Sequence, residues 1–284
     1  MTTPAPALHL PHPDHLPRSL MEVRAAGTSR RRPSPGPPTP RPSPRESCYD
    51  EFFAVTRSSG HPALHLAHSL KATLSAGYAC AGTDQRTAFA RAARLAGLCL
   101  TAEPGSGWPA HAGPLERWKA GHRLFFALNQ LTVVALRQAR ADGCRRAGAE
   151  AAAHALRAGA AAMTLTATFD QAAYHRTVRP AMMPPNLPVE GFSGLWSADH
   201  RALVTELGLW GNHHALSCRA DCPARRTLLD ALDETAAAHH GVCARFVGRR
   251  PSLLGGDDSL LVLDRLHQAR HCSAAGSRPP RPPA

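Results

Sequence analysis

PLERWKAGHRLFFALNQLTVVALRQARADG, residues 114–143, decides the fold class. Its apolar side chains, among them Trp118, Leu124, Phe125, Leu128, Leu131, Val134 and Leu136, recur every three or four positions, the spacing that lines one face of an α-helix. Pro114 suits a first helical turn, where an amide proton would lack a partner, and Gly143 suits the stop. Upstream, Thr83-Asp84 begins a second helix that carries Phe89, Ala93, Leu95 and Leu98. Downstream, an alanine-rich helix is expected from about Ala147 to His175, ending before Pro180, which has no amide proton to donate. The stretch from Ala181 to Pro188 holds three prolines and reads as an irregular loop. Ser197 then caps a helix bearing His200, Leu203, Leu207, Trp210 and His214, with Gly208 and Gly211 weakening its middle. Pro223 opens another helix to about Cys243, and Asp257-Asp258-Ser259 caps a last one through Leu266.

Strand signals are nearly absent, so the expectation is all-α: one helical-bundle domain over residues 46–272. Residues 1–45 are dense in Pro, Ser and Arg, and residues 273–284 end in Pro279-Pro280-Arg281-Pro282-Pro283-Ala284. Such composition offers little apolar surface to offset chain entropy, and both tails are expected to be disordered.

The chain has 284 residues and a formal net charge of +12, carried by arginine except for Lys71 and Lys119. That charge raises nucleic-acid binding, but the arginines are scattered, with no basic stripe interleaved with aromatics. No nucleic-acid partner is expected. No run approaches the length of a membrane-crossing helix, and the first twenty residues lack the apolar run of a signal peptide, so no membrane partner and a cytoplasmic location are expected. Eight cysteines in such a compartment are expected to be mostly thiols, with Cys99, between Leu98 and Leu100, in the core.

The chemistry concentrates in His175 and, after thirty-eight intervening residues, His214-Ala215-Leu216-Ser217-Cys218. Residues four apart on a helix share a face, so an imidazole and a thiol placed this way can grip one flat object. An imidazole nitrogen can ligate haem iron while the thiol reaches a vinyl carbon at the porphyrin edge. Each histidine falls near a helix end, and the pair brackets a Pro- and Gly-rich loop, an arrangement that suits a planar cofactor clamped between helices.

The spacing from His175 to Cys218, the run from Tyr174 to Pro185 and the segment Gly191-Phe192-Ser193-Gly194-Leu195-Trp196 resemble the saframycin-type 3-methyl-L-tyrosine hydroxylases. These belong with the histidine-ligated haem-dependent aromatic oxygenases, relatives of tryptophan 2,3-dioxygenase. The resemblance covers roughly Leu115 to Cys218 and implies a dioxygenase-like helical fold. By that resemblance His175 and His214 are axial ligands of haem iron, and Cys218 forms a single thioether, as in a c-type haem with one linkage. It further implies hydroxylation ortho to the phenol of 3-methyl-L-tyrosine or a related aromatic amino acid, in antibiotic biosynthesis. The oxidant would be hydrogen peroxide, or dioxygen with a reductant, and multimeric assembly is expected by analogy.

Two further residues follow from the same likeness. The segment Gly121 to Gln130 resembles the dioxygenase helix whose histidine faces the substrate side of haem, which makes His122 a candidate proton carrier. His122 can equally sit at the edge of a core helix. Arg179, and Arg176 beside it, can clamp an amino-acid carboxylate or the haem propionates, and Arg179 is the candidate substrate-binding residue. Phe192, Trp196 and Met183 line either the pocket or the core. Two alternatives stand beside this reading. Cys218, Cys222, His239, His240 and Cys243 supply enough nitrogen and sulfur for a structural zinc, and a haem protein can be a non-catalytic sensor.

Overall fold

The structure, a computed structural model, describes residues 7–28, 40–101, 107–108, 112–143, 146–219, 221–250, 253 and 258–277. Among these the chain is mainly helical, as expected. The 114–143 stretch forms α5, Pro114–Ala141, with Pro114 in its first turn. Between Phe126 and Leu136 every residue of α5 is buried, so the helix is enclosed on all sides. One flank is covered by α6, Arg146–Thr166, and the other by α9, Ala198–Ser217. Helix α10, Pro223–Phe246, packs on α6, and α11, Ser259–Ala274, packs on α9 and α10.

The close fit of α5 to α6 rests on missing side chains. A Cβ on Gly121 would collide with the Thr166 side chain, and one on Gly148 with the backbone of Ala139. Alanine over most of the buried face of α6 keeps the two axes near each other. Helices α3, Pro62–Cys80, and α4, Thr83–Leu95, complete the bundle on the far side of α5 and α6. Cys99 lies beyond the end of α4 and is exposed, not in the core as expected.

The alanine-rich helix stops at Thr166, short of the expected His175. Asp170 caps a new start by accepting from the Ala173 amide at 2.6 Å, giving α7, Gln171–Ala173. The chain then winds one π-helical turn, Tyr174–Val178, and continues through Pro180 as α8, Arg179–Ala181. Pro180 cannot donate to the carbonyl four residues back and its ring crowds that oxygen, and the wider turn before it accommodates the ring. At the other end α11 runs to Ala274, beyond the expected Leu266, with Asp258 accepting from the Leu260 amide at 3.0 Å. Asp257 lies outside the described residues.

The amino-terminal region also departs from the expectation of disorder through residue 45. Residues 8–11 form strand β1, Leu8–Pro11, parallel to β2, Val55–Ser58, with Leu8 opposite Val55. Helix α1, Leu20–Thr28, follows, and α2, Pro44–Phe52, begins within the expected tail. Leu10 and Val23 are fully buried. Backbone groups of this segment pair with side chains of α5: Gln130 donates to the Pro11 carbonyl at 2.8 Å, Arg137 to that of Leu16 at 2.8 Å, and Gln138 accepts from the Leu20 amide at 2.9 Å. Composition hides this, because the partners lie more than a hundred residues away. The tail residues 1–6, 29–39 and 278–284 lie outside the described residues.

One buried charge network joins these parts. Asp199, in the first turn of α9, has no solvent exposure and receives Arg57 through both guanidinium ends at 2.9 Å. Arg57 also grips Asp50 at 2.8 Å, and Gln130 donates to Asp199 at 2.6 Å. Removing one member of such a set leaves an uncompensated charge in a dry place, whereas removing opposite charges together costs less. Asp199→Ala is therefore expected to lower unfolding free energy by about 3–5 kcal/mol in urea titration. Replacing the whole charged set, Asp50→Leu and Arg57→Met with Asp199→Leu, should lose less than that single change.

Candidate active site

A cavity of about 330 Å³ lies between α5, α6, α9, α10 and α11, at the small end of the range for small-molecule sites. Each helix presents one stripe to it. On α5 these are Trp118, His122, Phe126 and Asn129; on α9, His200, Leu203 and Leu207. Helix α10 offers Leu232, His239 and Cys243, and α11 offers Leu263, Leu266 and Arg270. The i, i+3, i+4, i+7 spacing that buries a helix face thus also delivers the polar groups. Tyr174 and Arg179, from the π-turn and α8, close one side, and an aromatic cluster of Tyr49, Phe53 and Phe192 closes another.

Burial governs the titration of these groups. His122 is stacked on Phe53 at 4.7 Å between centroids and leans on Trp118 at 4.4 Å. Its Nδ1 lies 2.8 Å from the Trp118 carbonyl, so that nitrogen carries the proton and Nε2 keeps a free lone pair. Desolvation holds its pKa down at about 4. Desolvation, then the nearby Arg270 charge, holds His200 at about 3 and His239 at about 4. Burial pushes the Cys243 thiol up to about 11. At neutral pH the cavity therefore holds three neutral imidazoles and an un-ionised thiol. No Asp or Glu is among the described residues that line it, and two buried donors, Trp118 Nε1 and Asn129 Nδ2, have no partner among them.

The residues singled out from sequence fall in two places. His122 and Arg179 line the cavity, Arg179 beside the Tyr174 hydroxyl; His175, His214 and Cys218 do not line it. His214 extends the α9 stripe two turns beyond Leu207, is 2 % exposed and stacks on Trp210 at 4.7 Å. Neither of its ring nitrogens has a described hydrogen-bond partner, and burial lowers its pKa. Helix α9 ends at Ser217, so Cys218 is extended rather than helical, yet its amide still donates to the His214 carbonyl at 2.9 Å. Ligand atoms of His214, Cys218 and Cys222 lie within 4.8 Å of one another. His175 sits in the π-turn, with Nε2 buried and again unpartnered among the described residues.

These orphaned nitrogens are a direct test of fit for a haem. A buried imidazole nitrogen with no hydrogen bond is costly unless something outside the polypeptide satisfies it, and iron would satisfy one nitrogen of each ring. The donors present, imidazole nitrogen with a cysteine four residues on, suit that group. Cys218 is disulfide-bonded in this structure, so a thioether requires the sulfur to be reduced first. Cys48, Cys80, Cys99, Cys222, Cys243 and Cys272 are free.

The structure divides the zinc set. Cys218 and Cys222 gather with His214, while His239 and Cys243 face the cavity, so those five residues do not form one site. Gly208 and Gly211, expected to loosen α9, instead admit α11: a Cβ on Gly211 would strike the Ser273 carbonyl. Of the aromatic residues left open by sequence, Phe192 lines the cavity, Trp196 is buried beneath Arg45, and Met183 is exposed. Sequence reasoning passes over His200 and Arg270 as site residues and places His239 only in the zinc set, though each continues an apolar stripe at helical spacing.

Comparison with known proteins agrees with this architecture. The family model described as SfmD 3-methyl-L-tyrosine peroxygenase matches residues 5–227. The chain belongs to that family. A 3-methyl-L-tyrosine peroxygenase from Streptomyces lavendulae is 37% identical over 166 residues, covering 54% of this chain and 44% of that protein. The match thus spans less than half the length of that peroxygenase. The crystal structure of reduced SfmD, soaked with sodium hydrosulfite, aligns with a TM-score of 0.59 at 26% identity, over 85% of this chain and 99% of that one. The family match begins at residue 5 and so takes in the segment that carries β1 and α1.

The neutral imidazoles set a pH dependence of stability. In the unfolded chain a histidine titrates near 6.5, but in the fold His122, His200 and His239 bind protons only near pH 4, 3 and 4. Below pH 6.5 the unfolded state therefore takes up more protons, and stability falls as pH falls. Thermal midpoints are expected to be highest above pH 6.5 and to drop from there towards pH 4. His239→Leu should make that drop shallower.

Proposed function

We propose that this chain is a haem-dependent peroxygenase that hydroxylates 3-methyl-L-tyrosine, or a close phenolic amino acid, ortho to the phenol. The observation that carries this reading is the buried His214 imidazole, unpartnered among the described residues at both nitrogens and four residues before Cys218, within the family-matched region. His214 and His175 would hold the iron, and Cys218, once reduced, would anchor the macrocycle by one thioether. Haem bound there supplies activation of hydrogen peroxide for oxygen transfer to the aromatic ring. The grouping with histidine-ligated aromatic oxygenases and a cytoplasmic location belong to the same proposal. No helix among the described residues is long and apolar enough to cross a membrane.

The chain's own residues prepare the substrate. The aromatic wall of Phe53, Phe126 and Phe192 receives the ring and keeps water away. His122, with Nδ1–H committed to the Trp118 carbonyl, offers Nε2 as a base for the phenol proton and returns that proton as an acid. Its low pKa keeps it unprotonated, and so ready as a base, throughout the neutral range. Arg179, beside the Tyr174 hydroxyl, adds positive charge at the cavity wall, suited to a second anionic group such as the phenolate left when His122 takes the phenol proton.

Three measurements test this. Purified protein should show a Soret band, and its haem should resist acid-acetone extraction, whereas Cys218→Ala should release it. A colourless preparation from iron-replete cells, particularly one holding stoichiometric zinc, would refute the haem reading. His122→Gln should lower kcat about 10²–10⁴-fold with haem content intact, as loss of a proton carrier does.

A further inference from the structure

We propose that Arg270, held by His200, is the receptor for the carboxylate of the amino-acid substrate. This rests on the reading of the cavity as an amino-acid site, and it assigns a residue that lies beyond the 5–227 region of the family match.

Arg270 lies just before the last turn of α11, in line with Ser259, Leu263 and Leu266 on the cavity wall. A guanidinium carries five N–H donors. Here one described bond is made, from Nη2 to His200 Nε2 at 2.9 Å. Because a guanidinium has no lone pair to give, His200 accepts, and its low pKa keeps Nε2 free to do so at neutral pH. The bond fixes the fork and spends only part of its capacity. Among the described residues no carboxylate pairs with Arg270, although burial disfavours its charge. By contrast Arg57, Arg137, Arg157 and Arg201 each meet an acid. A half-buried cation with no anion among the described residues, facing a cavity whose described lining holds no acid, lacks one component, and a carboxylate supplies it in the planar geometry a guanidinium prefers.

The other polar groups agree. His239 adds no competing positive charge, and Trp118 Nε1 and Asn129 Nδ2 are donors awaiting acceptors. Opposed to them stand the aromatic residues Tyr49, Phe53 and Phe192. A ligand with an aromatic ring and a carboxylate matches both parts, and about 330 Å³ suits one amino acid. A haem propionate carries the same chemistry; His175 and His214 lie outside the cavity lining, and haem content per chain separates the two ligands.

Calorimetric binding of L-tyrosine and of tyramine, its carboxylate-free counterpart, to the full chain as purified tests the assignment. The unaltered protein should bind tyrosine at least tenfold more tightly. Arg270→Met should weaken tyrosine by about 10- to 100-fold, the usual range for losing a charge-assisted hydrogen-bond pair, and leave tyramine unchanged. Arg270→Lys, which keeps charge but loses the fork, should recover part of the loss. If Arg270→Met does not fold, Arg270→Gln, which keeps a donor for His200, makes the same comparison. Equal weakening of both molecules, or of neither, would overturn the assignment while leaving the hydroxylase reading intact. A fall in haem content per chain with the tyrosine preference unchanged would assign Arg270 to a propionate and overturn it too. Binding of neither molecule by the unaltered protein would remove the amino-acid reading itself, and this assignment with it.

Discussion

The arrangement depends on a carboxylate that water never reaches. Asp199 collects Arg57 from β2 and Gln130 from the centre of α5, and through Arg57 it reaches Asp50 on α2. It sits in the first turn of α9, where Ser197 caps the helix by accepting from the His200 amide at 3.3 Å. Successive helical residues point about 100° apart, so when Asp199 faces the strand pair, His200 faces the cavity. An ion network outside the site thereby sets the orientation of the imidazole that holds Arg270. The amino-terminal segment belongs to the same construction, since Gln130 bonds Asp199 and the Pro11 carbonyl at once.

The cavity shows how burial can make basic residues behave as neutral ones. Three histidines close to one another and to arginines would repel strongly if charged, and desolvation removes that difficulty by keeping them unprotonated. What remains is a space with fixed positive charge from arginine, neutral nitrogen bases and donors to spare. A phenolic amino acid can give such a site its proton without meeting a permanent negative charge in the wall.

Much of this was legible in the sequence because helical periodicity and caps act locally. Ser197, Asp258 and the prolines that open α5 and α10 stand at their expected positions. His214 and Cys218 are near in sequence, so their proximity follows from one helix end. What composition concealed depended on distant partners. The first ordered segment looks unfoldable alone, and its backbone bonds come from Gln130, Arg137 and Gln138. Arg270 looks like any surface arginine until α9 and α10 are folded beside it. The glycines of α9 suggested looseness, since nothing local announces that Ser273 and Ala274 will press against them.

That contact ties two distant parts of the site into one lever. At Gly211 the backbone of α9 meets the backbone of α11, and on the other side Gly276 fits against Ala215 and the Gly211 carbonyl. His214 is three residues past Gly211, and Arg270 is one turn before Ser273, so the imidazole and the guanidinium hang from segments that touch backbone to backbone. A rigid shift of α9 at that point would have to be matched by α11, with no loop as intermediary.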